Sequence, residues 1–214
     1  MVENKRKSII FLLFFIVLVV LLIWILQIVN DSVPYIDRWT RGLVETLGDS
    51  AAYQPFRFIT ELGSRSFLFP FVIMMAIVLW VLIKDMFAAL VFAGGTLATH
   101  LLNIFIKNVV NRERPSISVA ANAEGYSFPS GHAMIPMVCY GLLAYFLVKR
   151  MKLKLAILMT QVFFALVIFL IGISRYVINV HYITDVMAGF VIGFICLVGF
   201  IYFYEFVHKY WSQS

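Results

Sequence analysis

Charge is scarce in this chain. Only 13% of its 214 residues are charged, where a soluble domain carries about 25%. Acidic residues number 11, and almost none fall inside the long apolar runs. Two cysteines are too few for a disulfide scaffold. There is no internal repeat, no low-complexity tract, and no inverted hydropathy symmetry of the kind that marks many transporters. What fills the space is apolar: 63% hydrophobic residues, with 21 Phe. Intrinsic disorder is excluded by that composition, and a water-soluble fold of this size could not bury so much apolar surface. The expectation is an all-α polytopic membrane protein.

A hydrocarbon core about 30 Å thick takes about 20 helical residues. Six runs meet that length: Ser8–Ile28, Phe67–Ile83, Phe87–Ile106, His132–Val148, Leu155–Ser174 and Ile183–Tyr204. The first follows Lys5, Arg6 and Lys7 as a signal peptide would. Its apolar run is too long for an h-region and no small-residue cleavage site follows, so it reads as a retained helix. Between the first and second runs, Val33, Ile36, Trp39, Leu43 and Leu47 recur at helical spacing against Asp37, Arg38, Arg41 and Glu45. That pattern fits an amphipathic helix in the membrane interface, or equally an exposed connector.

Basic flanks set the orientation. With the N-terminal side inside, Lys5–Lys7, Lys84, Lys149, Arg150, Lys152, Lys154 and Lys209 are cytoplasmic. Arg38, Arg41, Arg57, Arg65, Lys107, Arg112, Arg114 and Arg175 are outside. Nine against eight is little bias, but both dense clusters fall inside. The formal charge of +6 is therefore topological first and a hint of an anionic substrate second. Gly189 and Gly193 form a G-x-x-x-G pair suited to close helix packing, and Cys139 and Cys196 read as small hydrophobes.

Polar residues near membrane helices are costly, and here they gather. Lys107 ends the third run, and Arg114-Pro115 follows. Pro129-Ser130-Gly131-His132 opens the fourth. Ser174-Arg175 ends the fifth, and His181 and Asp185 straddle the start of the sixth. In a six-span layout all these places lie on one side of the membrane. Three permanent cations converging there call for a multiply charged anion, and phosphate fits. Ser130 at the N-cap and Gly131 let the backbone approach such an anion closely. His181 and Asp185, at i,i+4, allow the carboxylate to fix one imidazole tautomer and leave the other nitrogen as a nucleophile. His132 is then a candidate general acid. Taken singly, a Lys or Arg at a helix end is an anchor and a Pro-Ser-Gly run is a turn; their conjunction is what carries the reading.

Lys107-x6-Arg114-Pro115, Pro129-Ser130-Gly131-His132 and Ser174-Arg175-x5-His181-x3-Asp185 together resemble the three-part signature of the type 2 phosphatidic acid phosphatase family, with every position filled. The motifs cover 107–185, and the span layout extends the likeness to a single domain over 1–214. The resemblance implies that His181 attacks phosphorus and that Asp185 orients it. It implies that His132 protonates the leaving group, and that Lys107, Arg114, Arg175, Ser130 and Gly131 hold the phosphoryl oxygens. It implies no metal or other cofactor.

The implied substrate is a lipid phosphate whose chains stay in the bilayer, with no nucleic acid and no protein partner, and a site on the outer face of the plasma membrane. Phosphatidylglycerol phosphate stands first. Undecaprenyl diphosphate, and phosphatidic acid or diacylglycerol diphosphate, are the alternatives, since the cations read phosphate and not lipid. Outside this class stand a soluble haloperoxidase, which six apolar runs disfavour, and a phosphate-binding transporter, which has no use for the two histidines. His100, seven residues before Lys107, is expected either to make a structural hydrogen bond to a neighbouring helix or to touch a headgroup.

Overall fold

A computed structural model describes residues 2–48, 53–115 and 125–211. Six long helices follow the six apolar runs, each slightly longer than the run itself: α1 (Val2–Val29), α5 (Arg65–Ile83), α6 (Met86–Val110), α7 (Gly131–Val148), α8 (Lys154–Val177) and α9 (Ile183–Trp211). All six are long and apolar enough to cross a bilayer. Among the described residues everything regular is helical.

The connector after α1 is helical too, but broken. It forms α2 (Tyr35–Trp39), α3 (Arg41–Gly48) and α4 (Tyr53–Glu61). The break falls at Thr40, whose hydroxyl bonds back to the Ile36 carbonyl at 2.8 Å. Of the expected apolar face, Val33, Trp39 and Leu43 are exposed on the outside of the bundle, while Val44, outside that pattern, is buried. Asp37 departs from that pattern. The pattern puts it on the polar face with Arg38 and Arg41, yet it is only 3% exposed, because it turns inward to Arg112 beyond α6 and Thr184 on α9. Glu45 and Leu47, part of the same expected pattern, lie outside the described side chains.

Helix α7 is the hub. It packs on α6, α8 and α9, and its Met134, Val138, Leu142 and Phe146 are fully enclosed. In a lipid solvent the apolar effect gives helices no reason to associate, so close van der Waals contact must do so. Gly189 and Gly193 supply it. A Cβ on Gly189 would lie 2.7 Å from the Ser130 carbonyl oxygen, and one on Gly193 2.7 Å from that of Met134. Both obstacles are backbone, so only glycine permits this approach of α9 to α7. Cys139 and Cys196 are free thiols within the packed helices. Helix α1 is peripheral, seated on the bundle through Leu21 and Ile28.

Helix ends fix which side chains leave the bundle where. Asp85 caps α6 by accepting from the Ala88 N–H at 3.1 Å, and Tyr204 donates to the same carboxylate at 2.7 Å. At the other end of α6, Asn111 adopts φ 52° and donates its N–H to the Lys107 carbonyl at 2.9 Å. Asparagine tolerates this left-handed conformation, which stops the helix and redirects the chain. Asn179, at φ 58°, does the same between α8 and α9.

Candidate active site

The two asparagine turns, the start of α7 and the connector helices meet at one end of the bundle. Beyond Asn111 the chain delivers Arg112 and Arg114 inward. Arg114 donates from Nη1 to the Val180 carbonyl at 2.9 Å and from Nε to that of Gly125 at 2.8 Å. Its Nη1 also lies 3.2 Å from His181 Nε2. Lys107, in the last turn of α6, donates to the Tyr126 carbonyl and to that of Ser127 at 3.3 Å. Arg175, near the end of α8, is buried and donates from Nη1 to Thr60 Oγ1 at 3.1 Å.

His181 sits in the turn between α8 and α9, and its N–H donates to the Arg175 carbonyl at 3.2 Å. Its Nδ1 lies 3.4 Å from Asp185 Oδ2, one helical turn on. The second oxygen of that carboxylate, Oδ1, accepts from Arg112 Nη1 at 2.5 Å, and Oδ2 accepts from the Tyr182 N–H at 2.9 Å. The carboxylate is therefore held on both oxygens, and Nδ1 is the imidazole nitrogen that faces it. Nε2 is left toward Arg114.

Ser130 is the N-cap of α7, and its N–H donates to the Asp185 carbonyl at 3.0 Å. Its hydroxyl does not cap the helix. Ser130 Oγ and Arg175 Nε are the two buried side-chain polar atoms without a hydrogen-bond partner among the described residues. Such groups are costly to leave unpaired, and both belong to the cluster. Gly131 faces Asn103: a Cβ there would lie 3.1 Å from Asn103 Oδ1. His132, in the first turn of α7, is within electrostatic reach of Arg175, His181, Arg114 and Lys107. The α4–α5 turn presses on it, since a Cβ on Gly63 would lie 3.0 Å from its ring.

All eight expected side chains and backbone groups thus converge. The electrostatics suit a nucleophile. Burial, and then the charges of Arg114, Arg175 and Lys107, push the His181 imidazole well below its ordinary pKa. It is neutral at pH 7, with a lone pair on Nε2. Burial also lowers Arg114, against the opposing charge of Asp185, though a guanidinium keeps its proton throughout.

Several contributors escaped the sequence. Asn103 on α6 donates from Nδ2 to the Pro129 carbonyl at 3.2 Å and ties α6 to the entry of α7. Thr60 anchors Arg175. Arg112, counted above among flanking charges, is 9% exposed and lies between Asp185 and Asp37. Its place two residues before Arg114-Pro115 was the available signal. For His100 the structure favours neither expectation. It is half-buried within α6 and makes no hydrogen bond to another helix among the described residues.

The profile of the PAP2 superfamily matches residues 67–209, which include every member of this cluster outside the connector helices. The chain belongs to the PAP2 superfamily. Among curated relatives, it is 36% identical over 139 residues to phosphatidylglycerophosphatase B of Bacillus subtilis, covering 63% of this chain and 66% of that one. It is 27% identical over 161 residues to dolichyldiphosphatase of Saccharomyces cerevisiae, covering 71% and 66%. The chain therefore spans about two thirds of the length of the curated relatives it matches. The crystal structure of a transmembrane PAP2-type phosphatidylglycerolphosphate phosphatase from Bacillus subtilis superposes with TM-score 0.73 at 27% identity, over 87% of this PAP2 chain and 95% of that one. The crystal structure of Aquifex aeolicus LpxE shares the fold, with TM-score 0.57 at 24% identity, over 75% and 93%.

Proposed function

We propose that this PAP2 protein is a membrane lipid phosphate phosphatase that works through a phosphohistidine on His181. The observation that carries the reading is the placement of His181: Asp185 at Nδ1, Arg114 at Nε2, and Lys107 and Arg175 close enough to act on its charge.

The steps follow from that placement. Lys107, Arg114 and Arg175, with Ser130 and the first N–H groups of α7, hold the phosphoryl oxygens and stabilise charge in the transition state. The Nε2 lone pair attacks phosphorus. The bond from phosphorus to the lipid alcohol oxygen breaks, and its electron pair leaves with that oxygen. His132, held as the imidazolium by the bound phosphate anion beside it, donates the proton the alkoxide needs. The N–P bond carries a positive imidazolium, which Asp185 stabilises while holding the tautomer. His132, now neutral, takes a proton from water as that water attacks phosphorus. The N–P bond then returns its electrons to Nε2, and phosphate departs.

Phosphatidylglycerol phosphate is the proposed substrate, giving phosphatidylglycerol; likeness to the Bacillus phosphatidylglycerophosphatase B supports it. The second reading is a polyprenyl diphosphate such as undecaprenyl diphosphate, supported by likeness to the yeast dolichyldiphosphatase. Phosphatidic acid and diacylglycerol diphosphate belong to the same chemistry. The site end of the bundle faces outward across the plasma membrane, with Lys5–Lys7 and Lys209 inside. Phosphate release is to be measured from phosphatidylglycerol phosphate, undecaprenyl diphosphate and phosphatidic acid in mixed micelles containing EDTA. The expected outcome is turnover of all three, fastest on phosphatidylglycerol phosphate. A preference for undecaprenyl diphosphate would promote the second reading, and dependence on added Mg²⁺ would contradict the site chemistry.

A further inference from the structure

Asp37 lies on α2, 148 positions before Asp185, and has no place in the family signature. It is nonetheless built into the site. Its Oδ2 accepts from Arg112 Nη2 at 2.7 Å and from Thr184 Oγ1 at 2.6 Å, while Oδ1 accepts from the Thr184 N–H at 3.1 Å. The last contact caps α9 from a different helix, placing a carboxylate at the positive end of the element that carries Asp185. Arg112 closes the circuit. Nη1 donates to Thr184 Oγ1 at 2.8 Å and to Asp185 Oδ1 at 2.5 Å, and its guanidinium lies 3.9 Å from the centre of the Tyr182 ring. Tyr182 in turn gives its N–H to Asp185 Oδ2.

We infer that Asp37 is a positioning residue for the proposed reaction: through Arg112 and Thr184 it holds Asp185 against His181 and sets the charge that Asp185 presents. The inference rests on the reading of His181 as the nucleophile. Its physical basis is that one Arg is shared by two buried carboxylates. While Asp37 takes Nη2, the guanidinium is turned so that Nη1 reaches only the outer oxygen of Asp185, leaving Oδ2 for His181 and Tyr182. With Asp37 neutralised, Arg112 has one carboxylate left to satisfy. It then draws charge from Asp185 and frees α9 to shift at its first turn.

Arg114, Arg175 and Lys107 act on the charge of His181 directly, with a backbone bond at Ser127; Asp185 faces its Nδ1, His132 lies across the cluster, and Arg112 and Asp37 reach it only through Asp185. Removing a negative charge from this set makes the imidazolium less favourable. Removing a positive one does the reverse. Asp37→Asn and Arg112→Gln therefore displace the acid limb of the rate profile in opposite directions, to lower and to higher pH. The double variant, which keeps the net charge, returns it toward wild type. Loss of packing alone would not produce opposite signs.

The test is rapid-quench formation of acid-labile phosphoenzyme from ³²P-labelled substrate, with steady-state kcat, KM and pH profiles on purified full-length protein. In Asp37→Asn the rate of phosphoenzyme formation is expected to fall about 10- to 100-fold, as for other residues that orient a catalytic ligand, with KM and vanadate inhibition little changed. Arg112→Lys, which keeps the charge but cannot fork between two carboxylates, should lose rate with its acid limb unmoved. It serves if Asp37→Asn cannot be recovered folded. Phosphoenzyme formed by both variants at the wild-type rate, or limbs that move the same way in Asp37→Asn and Arg112→Gln, would overturn the inference alone. A wild-type phosphoenzyme that persists in His181→Ala would instead overturn the reading beneath it.

Discussion

His181 and His132 are chemically the same side chain in one buried cluster, and environment alone divides their work. His181 has a carboxylate at Nδ1 that fixes its tautomer and a guanidinium at Nε2, and burial with the surrounding cations keeps it a neutral nucleophile. His132 sits at the positive end of α7 beside the same cations, so its acid form depends on the phosphate anion that balances them. Two expectations follow. Neutral His181 is the active form, so activity is present above its lowered pKa and lost as pH falls through it. Arg114→Gln removes one cation that pushes that pKa down. The acid limb of kcat/KM on p-nitrophenyl phosphate should then move to higher pH than in wild type, substrate ionisation being common to both. A limb that stays put would mean Arg114 does not act on His181. For His132→Ala, turnover of an alkyl phosphate should fall by about 100- to 10,000-fold, the range for a lost general acid. The p-nitrophenyl ester, whose leaving group needs no proton, should be less affected at its first step. Equal losses in the burst phase of both substrates would remove His132 from that role.

At the scale of elements, the site depends on how closely α9 approaches α7. Gly189 lies one turn after Asp185, and the atom it would strike with a side chain is the carbonyl oxygen of Ser130. The same stretch carries the bond from the Ser130 N–H to the Asp185 carbonyl. Gly189→Ala should therefore separate the two helices at the site itself, costing about 1–3 kcal/mol by overpacking. The loss of activity should exceed that of Gly199→Ala, where nothing lies within 4 Å of a built Cβ. Thermal unfolding in detergent and kcat/KM of the two variants measure this; equal behaviour would contradict it. The same elements mark what sequence could and could not tell. Spans and the G-x-x-x-G contact are legible because each is a local pattern of period; the caps at Asp85 and Asn111 are not, and the expected cap at Ser130 uses no hydroxyl bond. The split of the connector at Thr40 is not legible either, since its apolar spacing runs through the break. Asp37 is expected on a polar helix face and Arg112 among the basic flanks, because their pairing joins positions 75 apart. A lone charge on an amphipathic face carries no mark of a partner on another helix.

For the whole molecule, charged residues are sorted to the two ends. The site end holds the buried cations and histidines. The opposite end holds Lys84, Lys149, Arg150 and Glu205, where the Lys149–Glu205 pair at 2.6 Å is exposed and contributes at most about 1 kcal/mol. Its basic residues are the ones that the proposed orientation places on the cytoplasmic side. With Cys139 and Cys196 replaced, a single Cys at Glu113 should react with a membrane-impermeant thiol reagent in intact cells, and one at Lys152 should not. The reverse pattern would place the site on the cytoplasmic face.

The most direct measurement concerns the bond His181 is proposed to form. Wild-type protein is mixed with ³²P-labelled lipid phosphate, quenched in base within milliseconds, digested, and the labelled peptide sequenced by mass spectrometry. The account expects a base-stable, acid-labile phosphoryl group on the peptide containing His181, accumulating in His132→Ala with the p-nitrophenyl ester and absent in His181→Ala. A label on any other residue, or full turnover by His181→Ala, would contradict it.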